Sequence, residues 1–292
     1  MENTLIIKTG AAGDVVRTTS LLNVLDGNIY WITTNKNKPL LDGQPNLHVL
    51  SLQEAHRSLK DTRFSNIISL EEDMDCAKLV TELKTEQITG IYYDKVRMNY
   101  TDDSAPWFDM SRVSNVGMTR ANELKALNTD SYQFHIFKMI GKKFTGEPYR
   151  VFTDNSVRQK DKLIGVEKRT GRQWPNKQWW GYDELTGRLR KNGIPVKLFS
   201  QKTDVRDYMR DIAECSYVVS GDTLAMHVAL AYGKNCTAIF NCTSPQEIYD
   251  YGLLKKIVSP VLDRFFYSSS YDLEAVNSVP LTDVYNTLDV NY

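Results

Sequence analysis

Nowhere does this sequence run to the roughly 20 consecutive apolar residues that a membrane-crossing helix needs, so no such span is expected. An excess of either charge is also missing, because 36 lysines and arginines balance 36 aspartates and glutamates. Without a global basic field nucleic acid is not an expected partner, and any membrane contact is expected to be peripheral. Anion binding must then come from local clusters. Cysteine is scarce: Cys76, Cys215, Cys236 and Cys242 form no CxxC pair and have no histidine at ligand spacing. That argues against a disulfide frame or a zinc site and suits reduced thiols in the cytoplasm. The opening MENTLIIKTGAAGD is not expected to be a signal peptide, since Lys8 and Asp14 interrupt a very short apolar run. A complete glycine fingerprint is lacking too. Only a GxxG portion is present and no Gly-Lys-Ser/Thr follows it, which weakens a dehydrogenase, methyltransferase or Walker-loop reading.

What is present is the composition of an ordinary globular enzyme, 41% hydrophobic and 25% charged. At 292 residues the chain can form about two domains, each with its own core. Short β-rich runs at 4–8, 28–33, 47–52, 64–70 and 88–93 alternate with helical or turn segments at 14–25, 39–41, 54–60 and 74–84. The polar stretch YTDDSAPWFDM (100–110) reads as a loop, and two helical stretches follow at 118–127 and 131–142. Residues 144–155, with Gly146, Pro148 and Asp154, are the best linker candidate. A second alternation then starts, with strands at 162–166, 195–200, 217–220 and 236–240 and helices at 177–192, 204–214 and 223–232. This predicts two doubly wound α/β domains, 1–155 and 156–292, facing an inter-domain cleft with ligands at the carboxyl ends of the strands.

Three strand-to-helix junctions hold residues suited to chemistry. In KTGAAGD (8–14), Gly10 and Gly13 suit a tight turn with close ligand approach, Asp14 stands at the helix start and Arg17 lies one turn in. Asp14 reads either as a helix N-cap or as a functional carboxylate. In SGDTLAMH (220–227), amides at a helix start suit phosphate oxygens, while Asp222 also fits a cap and His227 a core histidine. In KRTGRQWP (168–175), Lys168, Arg169 and Arg172 suit a phosphate clamp or a solvated basic loop. The acidic run EEDMD (71–75) holds a DxD triplet and reads either as a hard-cation site or, preferably, as an acidic helix start.

The blocks GDVVRTTSLL (13–22), GRQWPNKQW (171–179) and SGDTLAMHVALAYGK (220–234) resemble, in order, the signature blocks of glycosyltransferase family 9. That family comprises the bacterial ADP-heptose-dependent lipopolysaccharide heptosyltransferases. The resemblance implies a GT-B architecture of two Rossmann-like domains, the first for the acceptor and the second for the nucleotide-sugar donor. It also implies inversion at the anomeric carbon with no metal and no cofactor. The implied catalytic residue is Asp14, with Gly13 and Arg17 beside it. The implied donor residues are Arg172, Asp222, Thr223 and His227. The chain departs from the family at Leu224, where glycine is usual, and at Lys168 and Arg169, where small residues are usual. These substitutions bear on donor choice. The implied partners are a nucleotide sugar, ADP-heptose first, and a glycan or glycolipid acceptor in the cytoplasm or at the inner face of the inner membrane. The same fold with a hexose nucleotide, or a non-catalytic sugar-nucleotide binding module, are the alternatives.

Overall fold

The computed structural model describes residues 2–288. The chain divides into two compact units, Met1–Phe152 and Thr153–Tyr292, so the division falls within the expected linker.

Unit 1 is built on the strands β1 (Asn3–Ile7), β2 (Asn28–Ile32), β3 (Leu47–Leu50), β4 (Arg63–Ser69), β5 (Lys84–Tyr93) and β6 (Met98–Tyr100). Between and after them lie the helices α1 (Ala12–Thr18), α2 (Leu52–Ser58), α3 (Met74–Glu82), α4 (Ala105–Phe108), α5 (Met118–Leu127) and α6 (Tyr132–Met139). The sheet order is β3-β2-β1-β4-β5-β6, with β6 antiparallel to β5 and every other pairing parallel. Strand order reverses between β1 and β4, and in open α/β sheets ligands bind beyond the carboxyl ends at such a reversal. The core is continuous apolar burial of the kind parallel strands require, with Leu5, Ile7, Ile32, Phe64, Ile67, Leu79 and Val80 nearly inaccessible. Each side chain of this size contributes about 1.5–3 kcal/mol by leaving water. The stretch expected as a polar loop begins at the last residue of β6 and contains a 3-10 turn (Asp102–Ser104) and α4. Pro106 at the helix start fits α4, and fully buried Phe108 anchors it.

Unit 2 carries β7 (Ile164–Val166), α7 (Tyr182–Lys191), β8 (Val196–Leu198), α8 (Val205–Ala213), β9 (Tyr217–Gly221), α9 (Leu224–Ala231) and β10 (Asn235–Phe240). It closes with β11 (Leu254–Val258), α10 (Leu273–Asn277) and α11 (Leu281–Tyr285), which the periodicity did not predict. The parallel order is β11-β10-β9-β7-β8, and strand order reverses between β7 and β9. The helix expected from residue 177 starts only at Tyr182, because Pro175 opens a 3-10 turn (Pro175–Lys177) and Trp179 is buried in the core. Helix α9 is apolar all round and buried from Ala225 to Leu230, as a central helix must be.

Candidate functional site

In unit 1 the junction after β1 is not an open anion loop. The backbone amides of Thr9 and Gly10 both donate to Glu71 Oε2, at 2.7 and 2.6 Å, from the segment after β4. Lys8 Nζ donates to Leu70 O at 3.1 Å and pairs with Glu71 at 3.5 Å. Burial opposes the charge on Lys8, but the carboxylates of Asp14 and Glu71 outweigh it and hold the amine above its usual value. Gly10 eases this closure: a Cβ there would stand 3.2 Å from both Glu71 Oε2 and Lys8 Nζ, which would have to give by a few tenths of an ångström. Gly13 does not form the turn as expected; it lies inside α1, in the first helical turn.

Asp14 is not the N-cap. Ala11 occupies that position with no side-chain cap bond, and Asp14 sits in the first turn of α1. Its Oδ1 pairs with Arg17 Nη2 at 3.0 Å, and the Arg17 guanidinium lies 4.0 Å from the centroid of the Tyr132 ring. The Tyr132 hydroxyl meets Thr18 Oγ1 at 2.8 Å. Asp14 therefore stands at the strand-order reversal of unit 1, fixed by a cation that is itself fixed by an aromatic ring. The acidic run resolves as a helix start, with Asp73 the N-cap of α3, accepting from the amides of Asp75 and Cys76. No group of three or more metal-ligating side chains occurs among the described residues.

In unit 2, β7 lies beside β9, so the basic loop after one strand and the 222–224 turn after the other share the reversal point of that sheet. The three loop cations differ in their surroundings. Arg172 is exposed and makes no hydrogen bond or ion pair among the described residues. Lys168 pairs with Asp183 at 2.7 Å. Arg169 is committed to the buried Glu167, donating from Nε at 2.9 Å and Nη2 at 2.5 Å, with the Tyr208 hydroxyl on the same carboxylate at 2.6 Å. These bonds hold its guanidinium above its usual value and tie it to the loop's own carboxylate. An open hollow of about 430 Å³ adjoins Lys168, Thr170, Trp180 and Asp183.

Asp222 is not a cap either: Thr223 holds that position, without a side-chain cap bond. Asp222 Oδ2 instead accepts from Lys177 Nζ at 2.7 Å and from Thr243 Oγ1 at 2.9 Å, and Lys177 also donates to the Asp222 carbonyl at 2.8 Å. Burial raises the Asp222 carboxyl, but the charges of Lys177 and His227 outweigh it and bring it down to about 2. His227, buried on α9, places Nε2 at 3.8 Å from Asp222 Oδ1. The Thr223 hydroxyl is buried with no hydrogen-bond partner among the described residues, and half-buried Leu224 opens α9. Lys177 stands in the block quoted above, but nothing local in the sequence ties it to a carboxylate 45 residues away. The contacts of Glu71 with the loop after β1, and of Tyr132 with Arg17 and Thr18, escaped sequence reasoning for the same reason.

No protein-family model matches this chain, and no curated protein matches it in sequence. Among solved structures it is similar to Escherichia coli heptosyltransferase WaaC with ADP, at 16% identity and a TM-score of 0.57 over 91% of this chain and 97% of that one. It is similar to a glycosyl transferase family 9 protein from Veillonella parvula, at 13% identity and 0.62 over 98% and 97%. Escherichia coli ADP-heptose lps heptosyltransferase II matches at 16% identity and 0.61 over 99% and 98%. At these identities the likeness is one of fold: the chain has the two-domain, parallel-sheet fold of family 9 heptosyltransferases.

Proposed function

We propose that this chain, which has the fold of the family 9 heptosyltransferases, is an inverting glycosyltransferase that takes a sugar from a nucleotide diphosphate without a metal ion. The observation that carries the reading is the pair of ligand-ready strand-order reversals. One presents a carboxylate, Asp14, and the other presents cations and helix amides. In this reading unit 1 (1–155 as read from sequence) receives the acceptor and unit 2 (156–292) holds the donor.

Asp14 takes the proton of an acceptor hydroxyl as its oxygen attacks the anomeric carbon, and single displacement inverts the configuration. The leaving diphosphate gains negative charge, which Arg172 and the amides of Thr223 and Leu224 stabilise as preorganised donors. Lys168 reaches the diphosphate by exchanging Asp183 for phosphate, whereas Arg169 holds the loop through Glu167. His227 and Asp222 shape the wall of the donor site. ADP-heptose is the favoured donor, since solved relatives of this fold carry ADP or ADP-2-deoxy-2-fluoro heptose. The acceptor is a glycan or glycolipid, met in the cytoplasm or at the inner face of the membrane. No helix among the described residues is long and apolar enough to cross a bilayer.

A thermal-shift screen of nucleotide sugars, followed by a transfer assay with the hits, tests the proposal. Binding at 100-fold excess over Kd stabilises by about 2.7 kcal/mol. A shift with NAD or S-adenosylmethionine and none with any nucleotide sugar would overturn it. Binding without transfer to any glycan acceptor would leave a sugar-nucleotide binding module.

A further inference from the structure

Asp222 poses an electrostatic problem for a diphosphate site. Its carboxylate stands one residue before the N-cap of α9, where a bare negative charge would repel the phosphates that the helix amides attract. We propose that Lys177 is the positioning residue that removes this conflict: by neutralising Asp222 it makes the end of β9 usable by a nucleoside diphosphate. The inference rests on the donor-site reading of unit 2 given above.

The geometry is built for that role. Lys177 Nζ grips Asp222 at both the carboxylate and the carbonyl, and the two side chains are only 17% and 12% exposed. The lysine is delivered by a turn that cannot drift. Fully buried Asn176 donates to Ser270 O and accepts from the Asp272 amide, both at 2.8 Å. The Asn241 amide donates to Gln178 O at 2.8 Å on the other side. Gly221 lets the strand end lie against this turn, since a Cβ there would come within 2.9 Å of Lys177 O. Two buried oxygens at the rim of the pair, Thr223 Oγ1 and Asn241 Oδ1, have no hydrogen-bond partner among the described residues, and Asn241 is wholly inaccessible.

The alternative, that the pair only stabilises unit 2, makes a different prediction. Breaking a buried pair by removing one partner leaves an uncompensated charge, whereas replacing both is often close to neutral. Titration calorimetry with ADP, UDP and GDP, and then with the nucleoside of the tightest binder, separates the cases because none of these probes carries the donor sugar. Lys177→Met should weaken diphosphate binding by about 10- to 100-fold, the range of a charge-assisted interaction. Nucleoside binding should stay unchanged. Lys177→Arg should hold the affinity within about fivefold, since it keeps the charge. The double variant Lys177→Met/Asp222→Asn should recover to within about fivefold of wild type, because both charges are gone.

Where Lys177→Met does not fold, Lys177→Gln, which keeps a donor but no charge, takes its place. Diphosphate affinity unchanged in the single variant overturns the inference while leaving the donor reading intact. A double variant as weak as the single overturns it as well, since Lys177 would then act on the phosphate directly. A wild-type protein that binds no nucleoside diphosphate overturns both.

Discussion

Asp14 carries the chemistry proposed for unit 1, and its surroundings make the substitution Asp14→Asn informative. The residue caps nothing, so replacing it removes a partly exposed pair with Arg17, itself worth up to about 1 kcal/mol, together with the charge that supports the buried Lys8 amine. As a general base its loss should lower the transfer rate by about 10²–10⁴-fold. Single-turnover transfer at saturating donor and acceptor, beside a melting curve, is the measurement. A rate within a few-fold of wild type would leave the chain without its base. Arg172 offers the complementary case in unit 2. It is exposed and unpaired among the described residues, so Arg172→Met should change stability by no more than about 0.5 kcal/mol. Affinity for the nucleoside diphosphate should nonetheless fall by about tenfold or more. Unchanged calorimetric affinity would reduce Arg172 to a solvated loop residue. Asp14 and Arg172 were legible in the sequence because each lies within a short block. Lys177 was not, because its role depends on a partner 45 residues away, just past the end of β9.

At the scale of elements, the turn Pro175–Lys177 depends on a single buried side chain, Asn176. Asn176→Ala removes two hydrogen bonds made by a fully buried side chain to the exposed segment at Ser270 and Asp272, where Ser270 O keeps the Ser268 hydroxyl at 3.3 Å. At about 0.5–1.5 kcal/mol for each lost bond, unit 2 should lose roughly 1–3 kcal/mol in urea unfolding. A loss below 1 kcal/mol would show that the turn is held by other means. The glycine-bearing junction after β1 shows how an element can be read correctly and its use misread. The strand and the helix lie where the pattern of residues 4–25 predicts them, apart from a helix that begins at Ala12, taking in Gly13, and tightens into a 3-10 turn at Thr19–Asn23. Yet its amides are occupied by Glu71, and only the pairing of β1 with β4 brings that carboxylate within reach.

For the whole molecule, turnover should survive EDTA, since the groups assigned to the leaving diphosphate are cations and amides. Loss of activity on chelation, restored by magnesium or manganese, would refute the metal-free mechanism. Acid should weaken unit 2 through Asp222. Its folded carboxyl titrates at about 2, below the unfolded value near 4. A depressed folded value means the stabilisation is complete above about pH 4 and is lost as pH falls through about 2. The amount is roughly 2 kcal/mol, at about 1.4 kcal/mol for each tenfold change in proton affinity. Urea unfolding between pH 5 and pH 2 should therefore be flatter for Lys177→Met/Asp222→Asn than for wild type by about that amount. Equal slopes would mean that the pair contributes nothing to the acid limb. The sequence by itself determined the two α/β units, the order of most strands and helices, and the short blocks at the strand ends. Hydrophobic period, turn residues and local spacing are properties of neighbouring residues, so a linear reading reaches them. Only the tertiary structure decided that Glu71 closes the first loop, that Arg169 belongs to Glu167 and Tyr208, and that Lys177 neutralises Asp222. The first and last of these contacts join residues 61 or 62 and 45 positions apart. The Arg169 contact is local to Glu167, but Tyr208 reaches the same carboxylate from 41 positions away. Charges that decide one another's partners across such separations are brought together by strand order, which no window along the chain contains.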